Sequence, residues 1–249
     1  MTANMNDTMR LQMAHRSVRQ YRDEPIPEDT LKTLIRCGQA AASSSFVQAY
    51  SVVRVTRPEA RAAIAEAAGG QPWIINAPEF LVFCADLRRI EAVSQQGGEG
   101  ELEGYTEHGL VAVIDAALVA QNVFLAAESL GLGGVLIGGL RNDPQVTVEQ
   151  LKLPRLVAPL FGFCLGWPDQ DTAVKERLPV DVILHQDEYS DANFESEQAP
   201  YDQRIAGYYA SRGLNAKTDD WSGSSLRAIQ GKKREHMLPF LQQQGFFKK

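Results

Sequence analysis

His15-Arg16-Ser17-Val18-Arg19 gathers an imidazole, two guanidiniums and a hydroxyl within five residues of an otherwise acidic chain. In an extended segment, side chains at i, i+2 and i+4 share a face. His15, Ser17 and Arg19 would then converge on one object while Val18 turns the other way. Guanidinium and imidazolium donors suit a phosphate. A basic cluster taken alone is more often solvated surface, so its meaning depends on whether later segments agree with it.

Several do. Lys175-Glu176-Arg177 repeats the i, i+2 geometry, with both cations on one face and Glu176 opposite; it is a charge run on its own and an anion site when joined to Arg16 and Arg19. Each charge-assisted hydrogen bond contributes about 1.5–3 kcal/mol, so three or four would hold a phosphate monoester. Ser43-Ser44-Ser45-Phe46 is either a polar loop whose hydroxyls cap local backbone or a lining for a sugar chain and a ring face. Gly69-Gly70-Gln71-Pro72-Trp73 is either a surface turn or a carboxamide beside an aromatic plate. Gly131-Leu132-Gly133-Gly134-Val135-Leu136-Ile137-Gly138-Gly139 is not a dinucleotide fingerprint. The sixth position of Gly-x-Gly-x-x-Gly is Leu136, and the order is helix, glycines, strand. Gly131 to Gly134 reads as a helix C-cap and turn. Gly138-Gly139 follows an expected strand, where glycine signals close approach of another group, such as a flat ring with a hydrogen-bonding edge.

Other catalytic sets are missing: no Gly-x-Ser-x-Gly, no His-Glu-x-x-His, no P-loop, no cysteine with an activating partner. No side chain is assigned a catalytic role. A chain with phosphate, sugar and ring ligands but no nucleophile or acid–base pair points to a cofactor that does the chemistry.

These residues need elements to position them. Pro27 to Asp29 followed by 30–42 predicts a helix with an acidic first turn. Strands are expected over 50–56, 80–85, 135–137 and 157–165, and helices over 58–68, 108–130 and 201–212, with a last one ending near Gly245. Residues 94–105 carry four glycines and read as a mobile loop, and about 186–200 as an acidic linker. The 108–130 helix is apolar on nearly every side. Asp115, Gln121, Asn122 and Glu128 argue against a membrane span and for a core helix that also enters a dimer. Helices and strands without a βαβ cadence give α+β, with helices on a mainly antiparallel sheet.

The 249 residues suit one domain, about 186–249 being an excursion from it. A net charge of −6 argues against nucleic-acid partners. Met1 to Asp7 has no basic n-region or apolar h-region, so no signal peptide is expected. Three scattered cysteines without Cys-x-x-Cys, and four histidines without ligand spacing, give no disulfide or metal site and a cytoplasmic default.

Together, His15 to Arg19, Ser43 to Phe46, Gly69 to Gln71, Gly131 to Asn142, Gly162 to Pro168 and Lys175-x-Arg177-Leu178-Pro179 resemble the nitroreductase-like flavoprotein family. The similarity is strongest to its oxygen-insensitive NADPH nitroreductase and flavin reductase branch. It runs from about His15 to the C-terminus, and the order and spacing of the set make it specific. The resemblance implies an intertwined α+β homodimer with FMN at the interface. It gives His15, Arg16, Ser17, Val18 and Arg19, joined by Lys175 and Arg177, to the phosphate and its surroundings. Ser43 and Ser44 would come from the partner subunit, Gln71 would meet the isoalloxazine, and Ile137, Gly138 and Gly139 would lie along the ring. Arg212 and Lys217 resemble a basic loop for the NADPH 2′-phosphate, while Ser45, Phe46 and Arg234 would border the substrate. Leu136, Pro72-Trp73 and Glu235 depart from the branch's pattern. The implied function is reduction of nitroaromatics and quinones by NADPH in two-electron, ping-pong fashion. A flavin reductase for free FMN and a non-catalytic FMN-binding protein are the alternatives.

Overall fold

The structure, a computed structural model, describes residues 4–211, 218–231 and 233–249. It divides into two compact units, Met1–Thr172 with Glu235–Lys249, and Ala173–Arg234. The second unit begins upstream of the acidic stretch, and the chain's last residues return to the first unit.

In chain order the first unit holds α1 (Asp7–Met13), α2 (Glu28–Gln39), β1 (Tyr50–Arg54), α3 (Pro58–Ala67), α4 (Trp73–Asn76), β2 (Glu79–Asp86), α5 (Arg88–Gln96), α6 (Thr106–Ser129), β3 (Gly133–Ile137), α7 (Pro144–Leu151) and β4 (Val157–Gly166). The second unit adds α8 (Val180–Ile183), α9 (Ala192–Ser211) and α10 (Trp221–Gln230), after which α11 (Met237–Gln243) belongs to the first. The four strands form one sheet in the order β1-β2-β4-β3, with every neighbouring pair antiparallel.

All of β2 is buried, and its alternation explains why. Leu81, Phe83 and Ala85 face a core shared with α2 and α6, while Phe80, Val82 and Cys84 face one shared with α3 and α4. A strand covered on both faces reads as a nearly continuous apolar run, here 80–85, and the buried carboxylates at its ends, Glu79 and Asp86, pair with Arg54 and Arg89. Helix α6 is long and apolar enough to cross a membrane by length and composition. Here it packs across the sheet through Ala112, Ala116, Val119, Ala120, Val123 and Phe124. At Gly38 of α2 an added Cβ would sit 2.5 Å from Val123 Cγ2, so this glycine sets the α2–α6 spacing.

Three expectations change. Residues 94–96 complete α5, because Val93 and Ser94 go on accepting helical bonds from Gly97 and Glu99. Residues 192–200 are helical, not linker. Phe194 and Tyr201 meet the Trp221 ring edge-on, and packing within the second unit outweighs acidic composition and Pro200. Of Gly131 to Gly134, only Gly131 belongs to the helix cap. Its φ of +80° lets Leu132 N reach Ala127 O at 3.1 Å and Gly131 N reach Glu128 O at 3.0 Å. Gly133 and Gly134 open β3 instead, and their missing side chains make room for Val18 and Phe163.

Candidate functional site

The His15–Arg19 segment runs beside the edge strand β3 through a parallel bridge between Ser17 and Gly134. Val18 N donates to Gly134 O at 2.8 Å, and the Val18 side chain is 2% exposed. Gln170 Oε1 pins the far end by accepting from Arg19 N at 2.8 Å and Gln20 N at 2.7 Å. Val18 is thus the anchor that turns its neighbours outward, as the alternation requires.

On the outward face His15 Nδ1 lies 2.8 Å from Glu128 Oε1, and its ring meets Phe124 edge-on at 4.9 Å. Glu128 holds the Nδ1 proton, so Nε2 is the nitrogen left to face a ligand. Arg19 lays its guanidinium over the Trp73 ring, 5.7 Å from the centroid. Arg16 lines a pocket with Val18, Glu128 and Gly133. Neither Arg16 nor Arg19 has a carboxylate partner within salt-bridge distance among the described residues, so their charge is available to an anion.

Gln71 is held on both sides: Nε2 donates to Ala68 O at 2.7 Å, and Oε1 accepts from Trp73 Nε1 at 2.9 Å. An added Cβ on Gly139 would stand 2.5 Å from Gln71 Nε2 and 2.6 Å from Ala68 O. Among the described residues, the close approach at Gly139 is made by Gln71 and the Ala68 carbonyl. Gly138 to Asn142 form a 3-10 turn after Ile137. In it Arg141 lies against Gly138 and donates from Nη1 to Leu160 O at 2.6 Å.

The Ser43 loop is pinned by local capping bonds. Ser43 Oγ donates to Asp115 Oδ2 at 2.6 Å and accepts from Gln48 N at 2.7 Å. Asp115 Oδ1 accepts from Ser44 N at 3.0 Å, and Oδ2 from Ala49 N at 3.0 Å. Between these anchors Ser45, Phe46 and Gln48 sit at φ of 48°, 58° and 55°. The loop presents Phe46 at 80% exposure.

The second unit carries Lys175, Arg177 and Arg234. Lys175 Nζ donates to Tyr209 OH at 2.6 Å and lies over that ring, while Glu176 pairs with Arg204 at 2.8 Å. Arg212 and Lys217 lie outside the described residues.

Asp115 and Glu128 were noticed in the sequence only as interruptions of an apolar helix, yet they fix the Ser43 loop and His15. The available signal was that a buried carboxylate must have partners. Burial holds the Cys84 and Cys164 thiols well above their ordinary range, so neither supplies a nucleophile. No group of three or more His, Cys, Asp or Glu among the described residues is arranged to hold a metal.

The basic extended segment on the sheet edge, the glycine turn backed by a fixed carboxamide and the loop offering an aromatic are the places to which the flavoprotein resemblance assigns a cofactor. Residues 13–167 match the Nitroreductase family, and residues 175–249 match the Nitroreductase family, C-terminal domain. The chain is 43% identical to the NADPH-flavin oxidoreductase of Vibrio harveyi over 245 residues, 98% of this chain and 100% of that one. It is 40% identical to the oxygen-insensitive NADPH nitroreductase of Salmonella typhimurium over 242 residues, 97% and 99% of the two chains. The solved NADPH:FMN oxidoreductase from Vibrio harveyi complexed with NAD+ superposes with a TM-score of 0.88 at 41% identity, covering 98% and 100%. The chain belongs to the nitroreductase family.

Proposed function

We propose that this chain is an NADPH-dependent FMN oxidoreductase that reduces small molecules, nitroaromatics and quinones first among them. The observation that carries the reading is the Val18-anchored strand, which aims His15, Ser17 and Arg19 outward from a fixed sheet edge. The full-length relatives, named for NADPH, flavin and nitro compounds, give it its chemistry.

The residues present fit FMN. Arg16 and Arg19 leave two guanidiniums for a phosphate dianion, His15 adds Nε2, and Ser17 a hydroxyl. For Lys175 and Arg177, in the second unit, the phosphate role is what the resemblance implies. At the other end, the Gln71 carboxamide and the Ile137-Gly138-Gly139 backbone offer donors and acceptors to the edge of a ring. Bound there, FMN would supply two-electron hydride chemistry between NADPH and a second substrate. The protein's part is to position and to stabilise charge. Cations at the phosphate end and amides at the ring end favour an electron-rich cofactor without a covalent step. Ser45 and Phe46 are assigned to the border of the acceptor's space, and the resemblance gives Arg234 a substrate role and Arg212 and Lys217 the NADPH 2′-phosphate.

The working unit we propose is a cytoplasmic homodimer with no nucleic-acid or membrane partner. Leu110, Ile114 and Leu118 recur every four residues along α6 and are 46%, 54% and 42% exposed, an apolar stripe suited to a second copy. Ser43 and Ser44 would then approach the partner's FMN.

Absorbance of the purified protein before and after anaerobic NADPH tests the function. Flavin bands that bleach with NADPH are expected. Bands that stay oxidised would favour a binding protein, and a colourless protein that takes up no added FMN would overturn the assignment. Turnover at equal NADPH with a nitroaromatic, a quinone and free FMN then ranks the acceptors, since one relative is named for flavin.

A further inference from the structure

We propose that Trp73 is a positioning residue of the cofactor site. Its indole N–H sets which way the Gln71 carboxamide faces, and its ring holds the Arg19 guanidinium. The proposal rests on the assignment of Gln71 and Arg19 to FMN made above.

A carboxamide has two nearly isosteric orientations, and its partners decide between them. Trp73 Nε1 is a donor only and stands 2.9 Å from Gln71 Oε1. The carbonyl of Ala68 is an acceptor only and stands 2.7 Å from Nε2. A donor on one side and an acceptor on the other admit a single orientation, because a flipped amide would set N–H against N–H and oxygen against oxygen. One Nε2 hydrogen and one Oε1 lone pair remain for a ligand. Remove the indole N–H and the Ala68 carbonyl alone opposes the flip, so the carboxamide loses one of the two contacts that orient it.

The same ring lies 5.7 Å from Arg19 Cζ. Gln170 already fixes the Arg19 backbone, so the guanidinium is the part of that residue still in need of a support. Trp73 itself is held firmly. It opens the short helix α4 directly after Pro72, and the next residue, Ile74, is buried with 0% exposure. One half-buried side chain therefore ties a phosphate ligand to a ring ligand across the site.

Phenylalanine at 73 keeps the ring and loses the donor, whereas leucine loses both. Holoproteins of Trp73→Phe, Trp73→Leu and Gln71→Ala are compared with the parent by FMN titration and by dye-equilibrated midpoint potential. Trp73→Phe should bind FMN as the parent does and shift the potential in the direction that Gln71→Ala shifts it. A threefold to tenfold change in relative affinity for oxidised and reduced FMN corresponds to about 14–30 mV for a two-electron couple. Trp73→Leu should in addition weaken FMN by about two- to fivefold, the worth of an exposed cation–π contact. If Gln71→Ala shifts the potential and Trp73→Phe does not, the proposal is overturned and the Gln71 assignment stands. If Gln71→Ala changes neither potential nor spectrum, the assignment falls and takes the proposal with it. Equal losses of FMN affinity in Trp73→Phe and Trp73→Leu would overturn the division between donor and ring, and Trp73→Phe alone decides the matter should the leucine variant not fold.

Discussion

Replacing Asp115 by alanine should loosen the Ser43–Ala49 loop without unfolding the protein. The Asp115 side chain is buried with 0% exposure and accepts from Ser43 Oγ, Ser44 N and Ala49 N. Hydrogen bonds to a charged acceptor contribute about 1.5–3 kcal/mol each, so a rigid loop would lose about 4.5–9 kcal/mol. This loop is not free to stay as it is, because three of its residues are held in the left-handed region. Each costs roughly 1–2 kcal/mol, so relaxation returns roughly 3–6 kcal/mol. The net loss should be about 1.5–3 kcal/mol, well below the sum of the bonds. Urea unfolding at fixed protein concentration reads this as a midpoint lowered by about 0.5–1.5 M with an unchanged slope. Phe46 would no longer be presented in one conformation, so KM for the acceptor should rise several-fold while FMN is retained. An unchanged midpoint would refute the claim that Asp115 holds the loop, and a loss above about 5 kcal/mol would refute the claim that the loop is strained.

Gly139→Ala should cost about 1–3 kcal/mol and lower the FMN content of the purified protein, because the new Cβ meets Ala68 O as well as Gln71 Nε2; full FMN occupancy would count against it. Stability should fall on the alkaline side. Cys84, Cys164 and Tyr21 keep their protons in the fold but release them near pH 9, 9 and 10 when unfolded. Their contribution is thus complete below pH 9 and declines as pH rises through those values. The thermal midpoint should be nearly level from about pH 7 to 8.5 and drop beyond, less steeply in a Cys84→Ala/Cys164→Ala double variant. An identical slope in that variant would refute the cysteine share. Ile114→Glu should convert the dimer to monomer in sedimentation at micromolar concentration, and a persisting dimer would move the interface elsewhere.

Much of the frame was legible because it rests on local pattern. The β2 run reads as a strand covered on both faces, Glu28 and Asp29 mark the start of α2, and the period of two in His15 to Arg19 correctly turns Val18 inward. What escaped are choices made by contacts distant in sequence. Ser43 lies 72 positions from Asp115, and His15 lies 113 from Glu128. A sequence shows that such carboxylates need partners but not which ones. Gly139 was legible as a point of close approach, yet not that the approaching group would be the carboxamide of Gln71. The acidic segment before Tyr201 has the composition of a linker and is helical only because Trp221 gives Phe194 a place to pack.

Helix α6 draws these contacts into one argument. Its outward residues Leu110, Ile114 and Leu118 form the proposed subunit interface, Asp115 holds the acceptor loop, and Glu128 orients His15. At 1.5 Å per residue, Asp115 and Glu128 stand about 20 Å apart along the axis, a span over which a well-packed helix does not bend appreciably. The proposed subunit contact, the Ser43–Ala49 loop and the His15–Arg19 segment are thereby referred to a single rigid element. A substitution on the outward stripe that weakens the dimer should for that reason also disturb the Phe46 loop, because Ile114 and Asp115 are adjacent on the chain. Its effect on His15 should be smaller, because Glu128 lies three and a half turns further along, where Phe124 and the Gly131 cap keep the helix in place.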